Sequence, residues 1–165
     1  VRATPPRLAT IGVYGFSGET FLAALRDAGI GLVLDVRQRR GVRGSEYAWA
    51  NSKRLQAALA KAEIAYRHLP ELAPSTELRR LQYAEDDRRG VGKRSRSELA
   101  PAYVEGYEDE ILARADLDAL AAELAGEPFA ALLCVERDPE ACHRSLIAAR
   151  LASEEGVAIE NLRPA

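Results

Sequence analysis

"LATIGVYGFSGETFLAALRDAGIGLVLDVR", Leu8 to Arg37, holds two short apolar runs with a patterned segment between them. The first run is broken by Gly12 and Gly15, and the second, "GLVLDVR", is equally short; both suit buried strands. Between them Phe21, Leu22, Leu25 and Ala28 recur at helical spacing, with Ser17 placed to cap the helix and Gly29 to end it. A strand, a helix and a second strand in this order predict a parallel pair, because parallel neighbours need a crossover connection.

The alternation continues along the chain. "NSKRLQAALAKAEI" carries Leu55, Ala58, Leu59 and Ala62 at helical spacing behind an Asn or Ser cap, and "AYRHLP" follows as a third strand. "DLDALAAELAG" is a helix capped by Asp116, packed through Leu117, Leu120, Ala121 and Leu124 and stopped by Gly126. "FAALLCVE" is the fourth strand. The Asp138–Pro139 pair predicts the start of a last helix running to Gly156, before a final strand in "VAIENL". From Pro74 to about Tyr107 the periodicity fades into mixed charge, "AEDDRRGVGKRSRSEL" included, so residues 74–107 are expected to form an exposed charged loop or lid. The whole predicts one α/β domain over residues 1–165, a Rossmann-like three-layer fold with a mostly parallel sheet flanked by helices.

Composition narrows the function classes. The chain has 165 residues, enough for one full-sized core, and 47% hydrophobic with 29% charged residues is ordinary for a soluble globular protein. A net charge of −2 gives no global attraction to nucleic acid or anionic lipid, so anion binding must be local. Nothing approaches the ~20 continuous apolar residues of a membrane span. The opening "VRATPPRLATIGVYGF" has arginines before an apolar run, but that run is short and lacks a small-x-small cleavage site, so no signal peptide is expected. Two cysteines without a spaced framework fit a reducing, cytoplasmic setting, and no membrane partner or redox cofactor is expected.

In an open parallel sheet ligands bind beyond the carboxyl ends of the strands. The first strand delivers Tyr14 and Ser17 there, the second Asp35 and Arg37, the third His68 and Glu71, the fourth Cys134 and Glu136, and the final helix His143 and Arg144. His143 points at the sheet between Leu146 and Ile147, near a helix N-terminus whose dipole favours the neutral imidazole; the alternative is a buried histidine that bridges strand and helix. Arg144 is expected on the helix flank, either holding an anion or in a surface salt bridge. Cys134 and Glu136 share a strand face, and each cysteine is equally readable as a small core residue. A zinc site from Cys134, Cys142, His143 and His68 is disfavoured, because the cysteines are widely spaced and adjacent Cys142 and His143 cannot easily reach one ion; no metal is therefore assigned. A second cluster, "DVRQRRGVRG", packs Arg37, Arg39, Arg40 and Arg43 around two glycines, which suits phosphate unless the loop is merely solvated. Tyr47 and Trp49 beside it could stack a base, or Trp49 could pack in the core.

These motifs together resemble a prokaryotic family known as the domain of unknown function 488. "TIGVYGFSGETFLAAL" looks like its opening strand and helix, "LVLDVRQRRGVR" like its Asp-Val-Arg loop, "GVRGSEYAWANSKRLQAAL" like its second helix and "IAYRHLPEL" like its His-x-Pro strand. Tyr103 and Tyr107 in "APAYVEGYEDEI" sit like its aromatic pair, and "LLCVERDPEACHRSLIA" resembles its Cys-x-Glu-x-x-Pro-x-x-Cys-His-Arg motif. Arg40, Val42 and Ala73 stand where that family usually has proline, serine and glycine. The resemblance supplies no activity. A weaker similarity joins "LDVR" and "CHRSLIAARLASEEG" to rhodanese-like sulfurtransferases, yet Cys134 stands ten residues before Arg144, too far for their short anion-cradling loop. The arginine that cysteine phosphatases need six positions after the nucleophile is Glu140 counted from Cys134 and Ala148 counted from Cys142, which excludes that mechanism.

The resulting expectation is an enzyme, a hydrolase or transferase, acting on an anionic nucleotide or nucleic acid. Arg37, Arg43 and Arg144 would clamp the anion, with Tyr14, Ser17 and Glu71 lining the site. His143, His68, Glu136 and Cys134 would serve the chemistry, and Asp35 would orient an arginine or histidine. The alternatives are a non-catalytic module binding the same ligands, or a sulfurtransferase using Cys134.

Overall fold

A computed structural model describes residues 5–165. Five strands, β1 (Arg7–Ile11), β2 (Leu32–Asp35), β3 (Ala65–His68), β4 (Ala130–Leu133) and β5 (Ala158–Leu162), form one all-parallel sheet in the order β3-β2-β4-β1-β5. The late strand β4 is wedged between β1 and β2, with Leu8 and Leu32 both aligned to Ala130. All five expected strands are present, and helices cover both faces, which establishes the three-layer α/β fold.

Alternation along the strands divides the core in two. Ala9, Ile11, Val33, Ala131 and Leu133 face α1 (Gly18–Asp27) and α2 (Ser52–Lys61), whose buried stripes are Phe21 with Leu25 and Leu55 with Leu59. Leu8, Leu34 and Leu132 face the other layer. That layer comprises α3 (Thr76–Arg89), α4 (Pro101–Glu110), α5 (Leu117–Leu124) and α6 (Arg144–Glu155). The caps behave as their chemistry dictates: Ser17 and Thr20 form a reciprocal capping box on α1, and the Asp116 carboxylate accepts from the Ala119 amide. Asn51 occupies the N-cap of α2, but its side chain turns away to accept from the Val42 amide at 2.7 Å, pinning the arginine-rich loop. No helix among the described residues is long and apolar enough to cross a membrane.

Two expectations fail in instructive ways. The segment expected as an exposed loop contains α3 and α4, with only residues 90–100 irregular between them. The buried stripe of α3 is Leu78, Gln82 and Asp86, which has helical spacing and two polar members, so hydrophobic periodicity cannot reveal it. The last helix starts later than Asp138–Pro139 predicts. Those residues open a single 3-10 turn ending at Ala141; Cys142 is then extended (φ −138°, ψ 144°), and α6 begins at Arg144.

Candidate active site

A cleft of about 720 Å³ opens beyond the carboxyl ends of β2 and β4, within the usual range for small-molecule sites. Its floor comes from the β4 exit and the segment before α6, one wall from the arginine-rich loop after β2, and its cover from α3 and residues 92–96. Arg37, Cys134 and His143 all contribute to its lining, so the three motifs meet at one rim.

On the floor, His143 is the pivot. Its Nε2–H donates to the Val36 carbonyl at 2.9 Å, which leaves Nδ1 facing sulfur: Cys134 Sγ at 3.6 Å and Cys142 Sγ at 4.0 Å. The extended backbone at Cys142 brings its thiol beside the ring of its own neighbour, and the three ligand-type atoms lie within 4.8 Å of one another. The premise that Cys142 and His143 cannot approach one point is thereby corrected. Tyr107 packs its ring against His143 with centroids 5.5 Å apart while its hydroxyl donates to the Leu72 carbonyl.

Electrostatics follow from burial and neighbours. Burial raises the Cys134 thiol well above the ordinary range, and Cys142 raises it further. Burial acts against the Cys142 thiolate as well, but the Cys134 S–H, the Arg144 guanidinium and His143 outweigh it and hold Cys142 well below the usual thiol range. Burial likewise opposes the imidazolium, yet Cys142 and Glu136 together raise the His143 pKa, so the expected neutral ring is not secured by the helix dipole. Burial and then Cys142 raise Glu136, against Lys93 and Arg96. Burial lowers Lys93, but Glu136 and Cys134 leave its pKa raised overall.

Glu136 is the hub of a buried polar relay. Arg96 donates to its Oε1 at 2.7 Å and, through its other terminal nitrogen, to Asp86 at 2.9 Å; Gln82 then donates to Asp86 and accepts from the Ala100 amide. The cover of the cleft is thus fastened to the strand end. Lys93, Arg94, Arg96, Gln82 and Asp86 were invisible as site residues because their segment lacks periodicity; the only cue was the glycine-flanked "GKRSR" run.

Other expected residues divide. Tyr14 lines the cleft, its ring tilted against that of Tyr47 and the Arg94 guanidinium 5.1 Å from its ring centroid, and Arg43 lines it from the loop. Arg37 is 1% exposed and grips Asp35 through two nitrogens at 2.9 and 2.8 Å, with the Ala50 carbonyl as a third acceptor. Tyr66 completes Asp35 at 2.5 Å. Arg144, fully buried, donates to Thr10 and to the carbonyls of Glu136 and Arg137. Both arginines therefore hold loops in place where anion clamps were expected. His68 bonds the Arg37 carbonyl at 2.9 Å outside the cleft lining; Ser17 caps α1, and Glu71 is exposed away from the cleft. Trp49 packs on Phe21 with centroids 4.9 Å apart, the core alternative of the two considered for it.

No curated protein and no solved structure matches this chain. The sequence does match the family described as the domain of unknown function DUF488 over residues 17–151, a span that holds β2, β3 and β4, the cover and the Cys-His-Arg floor of the cleft, and the chain belongs to that family.

Proposed function

We propose that the cleft is the active site of a hydrolase or transferase whose substrate is an anionic nucleotide or nucleic-acid segment. The observation that carries this reading is the pattern of charge at the rim. Arg39, Arg43 and Lys93 line the cleft without an ion-pair partner among the described residues, while the nearby Arg94 and Arg96 have theirs in Glu46, Asp86 and Glu136. Cations left unpaired around a concave site favour an anion there. Beneath them Glu136, whose carboxyl is pushed above the ordinary range by burial, is the candidate proton carrier, and His143 is within reach of the same floor. Tyr14, Tyr83 and Tyr103 add flat apolar surface for a base. In this reading the protein works in the cytoplasm, where the two thiols stay reduced.

Thermal-shift titration with mononucleotides and short oligonucleotides tests the substrate class, since a ligand bound to the native state raises the midpoint. Arg43→Gln with Lys93→Gln should abolish the shift, whereas Glu136→Gln should retain binding and lose turnover. Burial of Cys134 and Glu136, 4% and 7% exposed, favours a second reading, a module that binds the same ligands without chemistry. In that case arginine and lysine substitutions alone would matter. The sulfurtransferase alternative is supported least, because Cys134 is held as a thiol; persulfide on Cys134 after incubation with a sulfur donor would revive it.

A further inference from the structure

We propose that Cys134, Cys142 and His143 form a three-ligand site for one zinc-class ion on the floor of the cleft, with its fourth position open toward the substrate. The site stands on geometry that the anionic-substrate reading does not use, and it goes beyond that reading.

A tetrahedral zinc ion with Zn–S of about 2.3 Å and Zn–N of about 2.0 Å places its sulfur and nitrogen ligands about 3.5 Å apart and its two sulfurs about 3.8 Å apart. The edges from His143 Nδ1 are 3.6 Å to Cys134 Sγ and 4.0 Å to Cys142 Sγ, and all three atoms lie within 4.8 Å of one another. Small side-chain rotations close that triangle onto an ion. The outer contacts match as well. A metal-bound imidazole commonly gives its other N–H to a carbonyl or carboxylate, which fixes the tautomer and aims the lone pair. Here Nε2–H is given to the Val36 carbonyl at 2.9 Å, and Nδ1 has only the two sulfurs before it. A histidine needed solely to bridge strand and helix would require the first bond and not the second.

The ligand set is two thiols and an imidazole, soft to borderline, which selects zinc or cobalt over magnesium or calcium. Cys134 and His143 line the cleft and Cys142 does not, so the site borders the cavity through two of its three ligands. Glu136 lines the cleft beside these ligands, its Oε2 3.6 Å from Cys134 Sγ and its Oε1 held by Arg96. His68, bonded to the Arg37 carbonyl, is not a ligand.

The test uses the reduced, chelator-stripped full chain and metal alone, with no nucleotide present. Titration with Co²⁺ should give one equivalent bound, with a thiolate-to-cobalt charge-transfer band and the intense visible bands of tetrahedral cobalt. Stoichiometric Zn²⁺ should bleach both and protect both thiols from alkylation. Cys142→Ser and His143→Ala should each weaken cobalt uptake at least tenfold. Should either variant not fold, the alkylation-protection experiment on the unaltered chain decides alone. Failure to take up cobalt, cobalt bands without tetrahedral character, or zinc that leaves either thiol fully reactive would overturn the site. None of these results bears on nucleotide binding, so failure of the metal site and failure of the substrate reading remain distinguishable.

Discussion

Arg96 bridges Asp86 of the cover to Glu136 just beyond the end of β4, at 2.9 and 2.7 Å, and all three side chains are buried. One guanidinium therefore fixes the height of the roof above the floor. Removing it would strand two carboxylates in a medium that charges them poorly. Breaking a buried pair from one side costs roughly 3–5 kcal/mol. Arg96→Ala is expected to lower stability on that scale in urea denaturation, and Arg96→Lys should recover little, since an ammonium lacks the fork that spans two carboxylates.

Asp35 performs the matching task on the opposite face of the sheet. It receives Arg37, Tyr66 and the Arg37 amide, and so shapes the start of the arginine-rich loop. Asp35→Asn should cost about 3 kcal/mol, the scale for breaking a buried ion pair. It should also raise amide exchange through residues 37–43 more than in α1 or α5, as measured by hydrogen–deuterium exchange.

Gly12 permits the closest backbone approach in the site. A Cβ there would lie 1.9 Å from the Glu136 carbonyl oxygen and 2.8 Å from its carbon, both main-chain atoms that cannot swing aside. Gly12→Ala should fail to give soluble folded protein or lower its thermal midpoint sharply. Gly126→Ala, where nothing lies within 4 Å, should leave the midpoint unchanged or slightly higher.

Alkaline pH should unfold the protein through its tyrosines. Burial raises Tyr103 and Tyr107 well above the usual phenol range, with the nearby cysteines adding to it, and burial together with the bond to Asp35 raises Tyr66. Their protonated forms thus favour the fold fully below the unfolded value of about 10, and that contribution is lost as pH climbs through the higher folded values. Absorbance titration should show these three phenols ionising late and together with loss of ellipticity.

Much of the architecture was legible because strands and helices here obey their two periods. Phe21 with Leu25, Leu55 with Leu59 and the Leu117–Leu124 stripe announce their helices, and the five apolar runs are the five strands. The cover was not legible, since the inward stripe of α3 is completed by Gln82 and Asp86, which are buried only because Arg96 and Ala100 satisfy them. Arginine density misled for a related reason. Arg37 meets its carboxylate only two residues away, at Asp35, but the acceptors that complete its burial and that of Arg144 lie 13 residues off at Ala50 and 134 off at Thr10, and no local pattern records those. The gathering of Cys134, Glu136 and His143 could be anticipated from strand exits, whereas the closeness of Cys142 could not, because it needs the extended break that the Asp138–Pro139 signal concealed.

The placement of β4 between β1 and β2 has a consequence for how the chain is made. On the ribosome, β1 emerges first and finds neither of its neighbours until Ala130 and then Ala158 have been synthesised, while β2 and β3 can already pair with each other. The nascent polypeptide therefore carries an unpaired hydrophobic ribbon from Ile11 until Ala130 has been made, and the sheet zips shut only when its central strand arrives. A stalled product ending before Phe129 would expose that ribbon and be a natural client for chaperones.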